Sequence, residues 1–185
     1  DTLIVVLDTH RPSMLPCPKL IEKASKVVLI DHHRRSTDFI NPCSLIYHEP
    51  YASSTCEMAT ELLEYMNLGS SLTTVEAECL YTGILMDTKN FIVKTGVRTF
   101  EAAAYLKRNG ADLTKVRKMS RESIETYRIR AKAISEAEIL YGRFAIATLV
   151  GIGVDSPTVI GAQVSNELLD IDGIEASFVL TSVHE

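Results

Sequence analysis

Two adjacent histidines and an aspartate each follow a short apolar run in this sequence. His32 and His33 come after the run Val27 to Ile30, and Asp8 comes directly after the run Leu3 to Leu7. Neighbouring residues of an extended segment point to opposite sides of the chain. One histidine can therefore bind a metal while the other contacts a ligand. For a histidine pair taken alone, ordinary hydrogen-bonded surface or core residues are the alternative.

Asp87 is the third candidate metal ligand, and it follows a predicted helix over residues 74–86. A strand is predicted shortly after it, at Phe91 to Val93. The helix dipole disfavours a carboxylate at a helix C-terminus, and a nearby cation would remove this penalty; a loop-bound aspartate is the alternative. One imidazole and two carboxylates form a hard ligand set, which suits Mn²⁺ or Mg²⁺ better than structural Zn²⁺. A pair of such cations can promote phosphoryl transfer to water.

Other polar side chains are candidates for binding a phosphate. Arg98 lies between Gly96 and a helix start, where a guanidinium can form a forked contact with a phosphate. Ser53, Ser54 and Thr55 offer hydroxyl groups at a helix N-terminus, which is a natural anion site. A solvated loop arginine and plain helix capping are the respective alternatives.

Two further sites in the sequence have a supporting role in this hypothesis. The pair Arg34-Arg35 follows the histidines and can steer an anionic substrate, with an exposed charged loop as the alternative. His10 lies two residues after Asp8, and we expect it to hold a metal ligand through a hydrogen bond.

The elements that position these residues follow an alternating pattern in the first third of the chain. The two apolar runs flank a short helix predicted around Lys19 to Ala24, and this alternation is typical of βαβ units with a parallel sheet. Neither run alternates with polar residues, as expected for strands covered on both faces. Open α/β sheets bind ligands at the carboxyl ends of their strands, which is where Asp8 and His32 lie.

Helix starts are readable from capping-box spacings. Ser54 with Glu57, and Thr73 with Glu76, have the spacing in which side chain and backbone satisfy each other's free groups. The predicted helices therefore run over 55–66, 74–86 and 99–108, the last ending at Asn109-Gly110. A long charged helix is predicted over 112–140 with a break near Ser120, followed by a strand at 144–150, a helix opened by Ser156-Pro157 and a strand at 174–183.

The composition excludes several classes of protein. With 185 residues, 46% apolar and 23% charged, the chain has the make-up of an ordinary globular protein. A net charge of −5 argues against binding long nucleic acid through a basic face, and the basic run Lys115 to Lys132 is interrupted by acidic residues. Its four cysteines include no C-x-x-C pair, and no run is long enough to span a membrane. The chain has no initiator Met and is expected to be a piece of a longer one.

Three segments resemble metal motifs of the DHH phosphoesterases, in the same order. They are Leu7 to His10, Asp31 to Arg35 and Gly83 to Thr88, which are similar to the second, third and fourth motifs of that family. The flanking stretches Glu49 to Thr55 and Thr95 to Phe100 look like the GdpP-type (YybT-like) cyclic-di-AMP phosphodiesterases of bacteria. This similarity covers nearly the whole chain.

The resemblance implies a role for each ligand candidate. Asp8 would bridge two metals, His32 and Asp87 would complete one of the two sites, and His33 would contact the phosphate, so that Asp8 and His33 are the catalytic pair. The implied cofactor is Mn²⁺, two per complete site, with Mg²⁺ or Co²⁺ as alternatives. The implied reaction is hydrolysis of cyclic di-AMP to the linear dinucleotide pApA by two-metal activation of water.

The resemblance also implies a domain organisation: an α/β chain truncated at both ends. A DHH catalytic domain over residues 1–118 would contain a parallel β-sheet flanked by helices, a connector helix would span 119–140, and residues 141–185 would begin a smaller α/β DHHA1 substrate-binding domain. Relatives carry an upstream His-x-x-x-Asp-x-Asp element and a downstream Gly-Gly-Gly-His element, neither of which occurs in this sequence. We therefore expect the chain to be inactive by itself.

The implied setting is a cytoplasmic domain of a parent protein anchored in the bacterial membrane. Its partner would be a small cyclic or linear dinucleotide, with no long nucleic acid and no direct membrane contact, and a homodimer is left open. Two alternative functions stay open: a nanoRNase or phosphoadenosine-phosphate phosphatase of the same superfamily, and a non-catalytic nucleotide-binding module.

Overall fold

The computed structural model describes residues 2–66, 72–150 and 156–182. The chain folds into two compact units, Asp1–Ser120 and Arg121–Glu185. Each unit has its own three-stranded sheet and its own apolar core. No helix in the described ranges has the length and apolar character needed to cross a membrane.

The sheet of the first unit contains three parallel strands in the order β1-β2-β3. They are β1 (Leu3–Leu7), β2 (Lys26–Asp31) and β3 (Leu45–His48). Leu7 pairs with Ile30 at the carboxyl end of the first two strands, so the residues that follow them meet at one edge of the sheet. The predicted parallel sheet flanked by helices is confirmed. The sequence analysis missed β3, which has only four residues and no alternation to mark it.

Within its described residues, the first unit also contains five helices and one 3-10 turn. The helices are α1 (Lys19–Lys23), α2 (Thr55–Tyr65), α3 (Thr74–Asp87), α4 (Val97–Arg108) and α5 (Leu113–Met119), and the turn is Pro12–Met14. The Ser54 hydroxyl accepts a hydrogen bond from the Glu57 amide at 3.0 Å, and Thr73 forms a capping box with Glu76. Both predicted helix starts are therefore confirmed.

Apolar side chains from α3, α4 and α5 form the largest core of this unit. Ile84, Leu106 and Val116 are fully buried there. A smaller cluster contains Ile30 of β2 and Met58 of α2, and it packs that helix against the sheet. The core thus holds the end of α3 and the start of α2 close to the edge of the sheet where β1 and β2 end.

The predicted strand at Phe91 to Val93 is wrong. These residues belong to a turn after α3, in which Lys89, Asn90 and Phe91 have φ values of 46°, 58° and 67°. A left-handed backbone cannot continue as an extended strand. The amides of Ile92 and Val93 both donate to the Thr88 carbonyl, at 2.8 and 2.9 Å, so the local turn already uses the groups that a sheet would need.

The described part of the second unit contains two helices and a mixed sheet. Its elements are α6 (Ile124–Ser135), β4 (Glu138–Leu140), β5 (Phe144–Val150), α7 (Pro157–Leu169) and β6 (Ala176–Ser182). The strand β5 pairs antiparallel with β4 and parallel with β6. Leu149, Val164 and Leu168 form the centre of its core. The predicted strand, helix and strand after residue 143 are confirmed.

One long helix over residues 112–140 is not found. The break near Ser120 is present, because α5 ends at Met119 and the Ser123 hydroxyl caps α6 by accepting from the Thr126 amide at 3.1 Å. After Ser135 the chain forms β4 instead of continuing as a helix, since its pairing with β5 satisfies the backbone there. The predicted domain limits at 118 and 140 stay a prediction.

Candidate metal site

Three side chains far apart in the sequence meet at the carboxyl edge of the parallel sheet. Nε2 of His32 lies 3.5 Å from Oδ1 of Asp8 and 3.6 Å from Oδ2 of Asp87. The His32 side chain is buried, whereas those of Asp8 and Asp87 are 59% and 42% exposed. The imidazole is therefore enclosed by the protein, whereas the two carboxylates are open to solvent.

The backbone of the loop before α2 fixes the orientation of His32. Its Nδ1 lies 3.3 Å from the carbonyl oxygen of Ala52 and can only donate to it. The proton is then on Nδ1, and the lone pair is on Nε2, the atom that faces both carboxylates. Metal-binding histidines are commonly oriented in this way.

Asp8 is held by both the sheet and a helix start. Its amide donates to the Ile30 carbonyl at 3.0 Å, and the Thr55 hydroxyl donates to its Oδ1 at 2.8 Å. The Asp8 backbone has a φ of 66°, a left-handed conformation in which aspartate and asparagine are enriched among non-glycine residues. Thr55 is the first residue of α2, and a carboxylate is favourable beside a helix N-terminus.

The negative charge of Asp87 is less well stabilised by its surroundings than that of Asp8. Burial raises the pKa of Asp87 above the ordinary value, the charge of Asp8 adds to this rise, and His32, His33 and Lys94 oppose it. Asp87 is also the last residue of α3, where the helix dipole disfavours a negative charge. Both effects would be relieved by a cation placed between Asp87 and the other ligand candidates.

The donor set fits a divalent cation. One ligand atom from each of Asp8, His32 and His33 lies within 4.8 Å of the others. Carboxylate oxygens and an imidazole nitrogen are ligands that Mn²⁺ and Mg²⁺ accept. These side chains can therefore hold a metal ion without a change of fold.

A hydrogen bond from His33 to the buried Asp31 orients the His33 ring. Oδ1 of Asp31 accepts from Nδ1 of His33 at 2.7 Å, its Oδ2 lies 2.5 Å from Nδ1 of His10, and its side chain is fully buried. Burial alone would raise the pKa of Asp31, but the hydrogen bonds from His33 and His10 outweigh it and lower the pKa. Because Nδ1 of His33 is engaged, Nε2 is the ring atom left for a ligand.

The sequence analysis overlooked this function of Asp31, although it is the first residue of the Asp31-His32-His33 motif. His10 contacts Asp31 and Ser36, and it does not contact a candidate ligand. His10 therefore supports Asp31 by a hydrogen bond, and not one of the candidate metal ligands as predicted. The cluster of His10, Asp31 and His48 is a hydrogen-bonded support for the loop, since His48 Nε2 lies 2.6 Å from the His33 carbonyl oxygen.

The proposed substrate-binding serines are used in the start of α2. Ser53 and Ser54 are at most 1% exposed. The Ser53 hydroxyl donates to Oε2 of Glu57 at 2.5 Å, and the Ser54 hydroxyl caps the helix. The structure therefore gives both hydroxyls a partner within the protein, and a substrate role for them stays a prediction.

Arg98 also has protein partners. Its guanidinium forms two hydrogen bonds with Glu61, Nε to Oε1 at 2.7 Å and Nη2 to Oε2 at 2.6 Å, and Nη2 lies 3.3 Å from the Tyr47 hydroxyl. This bidentate pair joins the start of α4 to α2. Contact between Arg98 and a phosphate stays a prediction, in which the phosphate would have to share the guanidinium with Glu61 or displace that carboxylate.

Two cavities adjoin the cluster. A groove of about 1170 Å³ is lined by His32, His33 and Arg34 together with residues 50–52 and the loop after α3. A smaller pocket of about 370 Å³ is lined by residues that include Asp8, Arg11, His33 and Arg34. His33 and Arg34 line both, so a ligand larger than a single phosphate has room on either side of His33.

Comparison with known proteins identifies relatives over nearly the whole chain. It is 44% identical over 183 residues to the cyclic-di-AMP phosphodiesterase PdeA of Listeria monocytogenes, covering 97% of this chain. It is 47% identical over 181 residues to the cyclic-di-AMP phosphodiesterase GdpP of Geobacillus thermodenitrificans, covering 98% of this chain. The chain spans about a quarter of the length of these relatives, 27% in each case.

Solved structures show the same fold. An exopolyphosphatase-related protein from Bacteroides fragilis superimposes with a TM-score of 0.78 at 23% identity, covering 93% of this chain and 52% of the other. Residues 1–84 match the DHH family, N-terminal domain. The matched segment contains Asp8, His32 and His33, and the similarity to PdeA and GdpP extends through Asp87 to the second unit. Residues 1–84 therefore form a DHH-family domain, within a chain that is similar to PdeA and GdpP over nearly its whole length.

Proposed function

We propose that this chain is part of a metal-dependent phosphodiesterase that hydrolyses cyclic di-AMP to pApA. The observation that carries the proposal is the approach of Asp8 and Asp87 to the same nitrogen of His32, at 3.5 and 3.6 Å. The substrate is taken from PdeA and GdpP, relatives that are cyclic-di-AMP phosphodiesterases. In this proposal the parent protein is anchored in the bacterial membrane, with this chain on the cytoplasmic side.

Asp8, His32 and Asp87 would hold the metal, and Mn²⁺ is the ion we propose, two per complete site. When bound, such cations supply Lewis-acid activation of water and neutralise the charge of the phosphodiester. Support comes from the donor set, which contains hard oxygen ligands, and from the raised pKa of Asp87, which a cation would lower. Asp8, whose carboxylate accepts from the Thr55 hydroxyl and lies 3.5 Å from Nε2 of His32, is our candidate for the residue shared by both ions.

The other residues of the site bind and orient the phosphate in this proposal. In its imidazolium form, in which both ring nitrogens carry a proton, His33 would donate from Nδ1 to Asp31 and from Nε2 to a phosphate oxygen, and would stabilise the charge that develops there. Arg34 lines both cavities and would attract the anionic substrate.

The proposal is tested in the full-length protein by exchanging Asp8 for Asn. Asparagine tolerates the left-handed backbone at this position, so the fold is kept while the charge is lost. We expect Mn²⁺-dependent hydrolysis of cyclic di-AMP to fall at least about 100-fold, and calorimetry to show loss of a Mn²⁺ site. Asp172→Asn, at an exposed turn of the second unit, is the matched control and should change neither quantity.

Substrate choice is tested by assaying cyclic di-AMP, pApA, phosphoadenosine phosphate and short RNA in parallel. A strong preference for short RNA or for phosphoadenosine phosphate would replace cyclic di-AMP by one of the other substrates of the superfamily. Unchanged turnover in Asp8→Asn would remove Asp8 from the metal site. Dinucleotide binding without any turnover would favour the non-catalytic module.

A further inference from the structure

Two exposed side chains line the groove of about 1170 Å³ beside the candidate metal ligands. Tyr51 is 93% exposed and Ile92 is 79% exposed, and both line the cavity that also includes His32 and His33. Side chains as exposed as these two contribute little to the packing of the described residues. Large apolar side chains grouped beside a polar site are typical of a ligand-binding surface.

The backbone around Tyr51 is tied to a candidate metal ligand. The Ala52 amide donates to the Glu49 carbonyl at 3.0 Å, which closes a turn around Tyr51. The Ala52 carbonyl in turn binds Nδ1 of His32. The position of the Tyr51 backbone is therefore fixed relative to His32.

The backbone around Ile92 is tied to another candidate ligand. Thr88, which is fully buried and directly follows Asp87, accepts the Ile92 amide at its carbonyl oxygen and the Phe91 amide at its hydroxyl, at 2.8 and 3.0 Å. The Phe91 ring stacks on Phe100 with centroids 5.3 Å apart. Phe91 thus anchors the loop by its packing, while the neighbouring Ile92 is left exposed at the groove.

The groove also offers positive charge. Arg34 and Lys94 both line it and are exposed, and neither forms an ion pair with another residue in the described part of the chain. An apolar surface lies here next to two exposed cationic side chains and the candidate metal ligands. This combination matches a ligand that has both a flat apolar group and phosphates. Among phosphodiester substrates, nucleotides have this combination.

We propose that this groove binds a nucleobase of the substrate, with Tyr51 stacking on the base, Ile92 contacting it, and Arg34 and Lys94 meeting the phosphates. The proposal rests on the phosphodiesterase function and adds to it a base-binding subsite in the first unit. Tyr51 acts here as a specificity-determining residue. It contributes to binding a substrate that carries bases and contributes nothing to cleavage of a phosphodiester that has none.

The test compares two substrates in the Mn²⁺-loaded full-length protein. Tyr51→Ala is expected to raise KM for cyclic di-AMP by about tenfold or more, since stacking on one base typically has an effect of that size. Hydrolysis of the abasic analogue, the same cyclic ribose phosphodiester with hydrogen in place of both bases, should keep its kcat/KM. Tyr51→Phe retains the ring and should behave as the wild type.

Matched controls exist for both positions. Tyr65 is 92% exposed on α2 and Val75 is 60% exposed on α3, and neither lines the groove. Tyr65→Ala and Val75→Ala should leave KM for cyclic di-AMP unchanged, whereas Ile92→Ala should raise it. If Tyr51→Ala affects both substrates equally, or neither of them, the proposal is overturned.

Binding of pApA separates this proposal from the proposed function. Calorimetric titration should show a dissociation constant about tenfold higher in Tyr51→Ala than in the wild type and in Tyr65→Ala. Tyr51-dependent binding without hydrolysis of cyclic di-AMP would refute the phosphodiesterase function and support the subsite. Hydrolysis of cyclic di-AMP combined with a pApA affinity that does not depend on Tyr51 would support the phosphodiesterase function and refute the subsite.

Discussion

Asp31 accepts hydrogen bonds from two imidazoles that approach it from different segments of the chain. His10 belongs to the loop after β1, and His33 belongs to the loop after β2. Both bonds use Nδ1, so a single carboxylate orients two rings. In the proposed function this contact turns His33 toward the substrate phosphate, which would make Asp31 a positioning residue.

Asp31→Asn should reduce stability in a pH-dependent way. The folded-state pKa of Asp31 is lowered, below an unfolded value of about 3.9. Its ionised form therefore stabilises the fold above about pH 4, and this contribution is lost as the pH falls through the folded-state pKa. We expect the substitution to lower the free energy of unfolding by about 2–3 kcal/mol at pH 7, measured by urea denaturation.

The difference between Asp31→Asn and the wild type should become smaller at pH 3, where the wild-type carboxyl begins to be protonated as well. An equal difference at both pH values would show that the charge of Asp31 does not stabilise the fold. Asp38, an exposed aspartate of the same loop, provides the control, and Asp38→Asn should show only a small change at either pH.

At the level of residues, the sequence predicted the ligand candidates better than their supports. Asp8 and His32 could be predicted to lie close together because each lies at the carboxyl end of one of two paired parallel strands. Asp87 could be added to them only through its resemblance to a family motif. The partners of Asp31, Arg98 and Ser53 could not be predicted in this way. Their hydrogen bonds depend on side-chain positions set by packing, and no local spacing encodes those positions.

The helices α2 and α3 approach each other closely at Gly83. A Cβ atom at this position would overlap the sulfur of Cys56 and lie 3.2 Å from its Cβ. A glycine inside a helix costs about 1 kcal/mol relative to alanine. The close approach explains why it is present here, since it allows the end of α3, with Asp87, to lie against the start of α2.

Gly83→Ala should lower the free energy of unfolding by about 1–3 kcal/mol, because the two helices must separate to accept the added methyl group. In a Cys56→Ala background the sulfur is gone, and the same substitution should be neutral to within about 1 kcal/mol. Urea denaturation of the four proteins in this double-mutant cycle measures the difference. An equal cost of Gly83→Ala in both backgrounds would contradict the proposed overlap.

At the level of elements, the sequence predicted those with strong local signals. Capping spacings located the starts of α2 and α3, and the β-branched runs located β1 and β2. The turn after α3 was predicted as a strand because Phe91 to Val93 has strand-like side chains. Its left-handed backbone depends on hydrogen bonds to the buried Thr88 and on the stacking of Phe91 on Phe100, both of which are tertiary contacts.

For the whole molecule, the division into two units determines where a bound metal should stabilise the protein. Asp8, His32 and Asp87 all lie in the unit Asp1–Ser120, and the core of the second unit contains none of them. A ligand stabilises the structure that binds it, by about 2.7 kcal/mol at a concentration 100 times its dissociation constant.

Addition of Mn²⁺ to the full-length protein should therefore slow amide hydrogen exchange in one unit more than in the other. We expect added protection in the loop after β1, the loop after β2 and the end of α3, and no change in α6 and α7. Hydrogen-exchange mass spectrometry measures this, with Asp8→Asn as the control that should show no added protection. Equal protection in both units would mean that the ion is bound elsewhere or by both units together.

The hydrogen bonds from His32 to Ala52 and from Ile92 to Thr88 have a consequence for cooperativity. Each ties a wall of the groove to a segment that holds a candidate ligand of the ion. If the ion orders these segments, it also raises the affinity of the groove for a base, and linkage requires the base to raise the affinity for the ion by the same factor. Even adenosine, a nucleoside with no phosphate to attract a cation, should then strengthen Mn²⁺ binding.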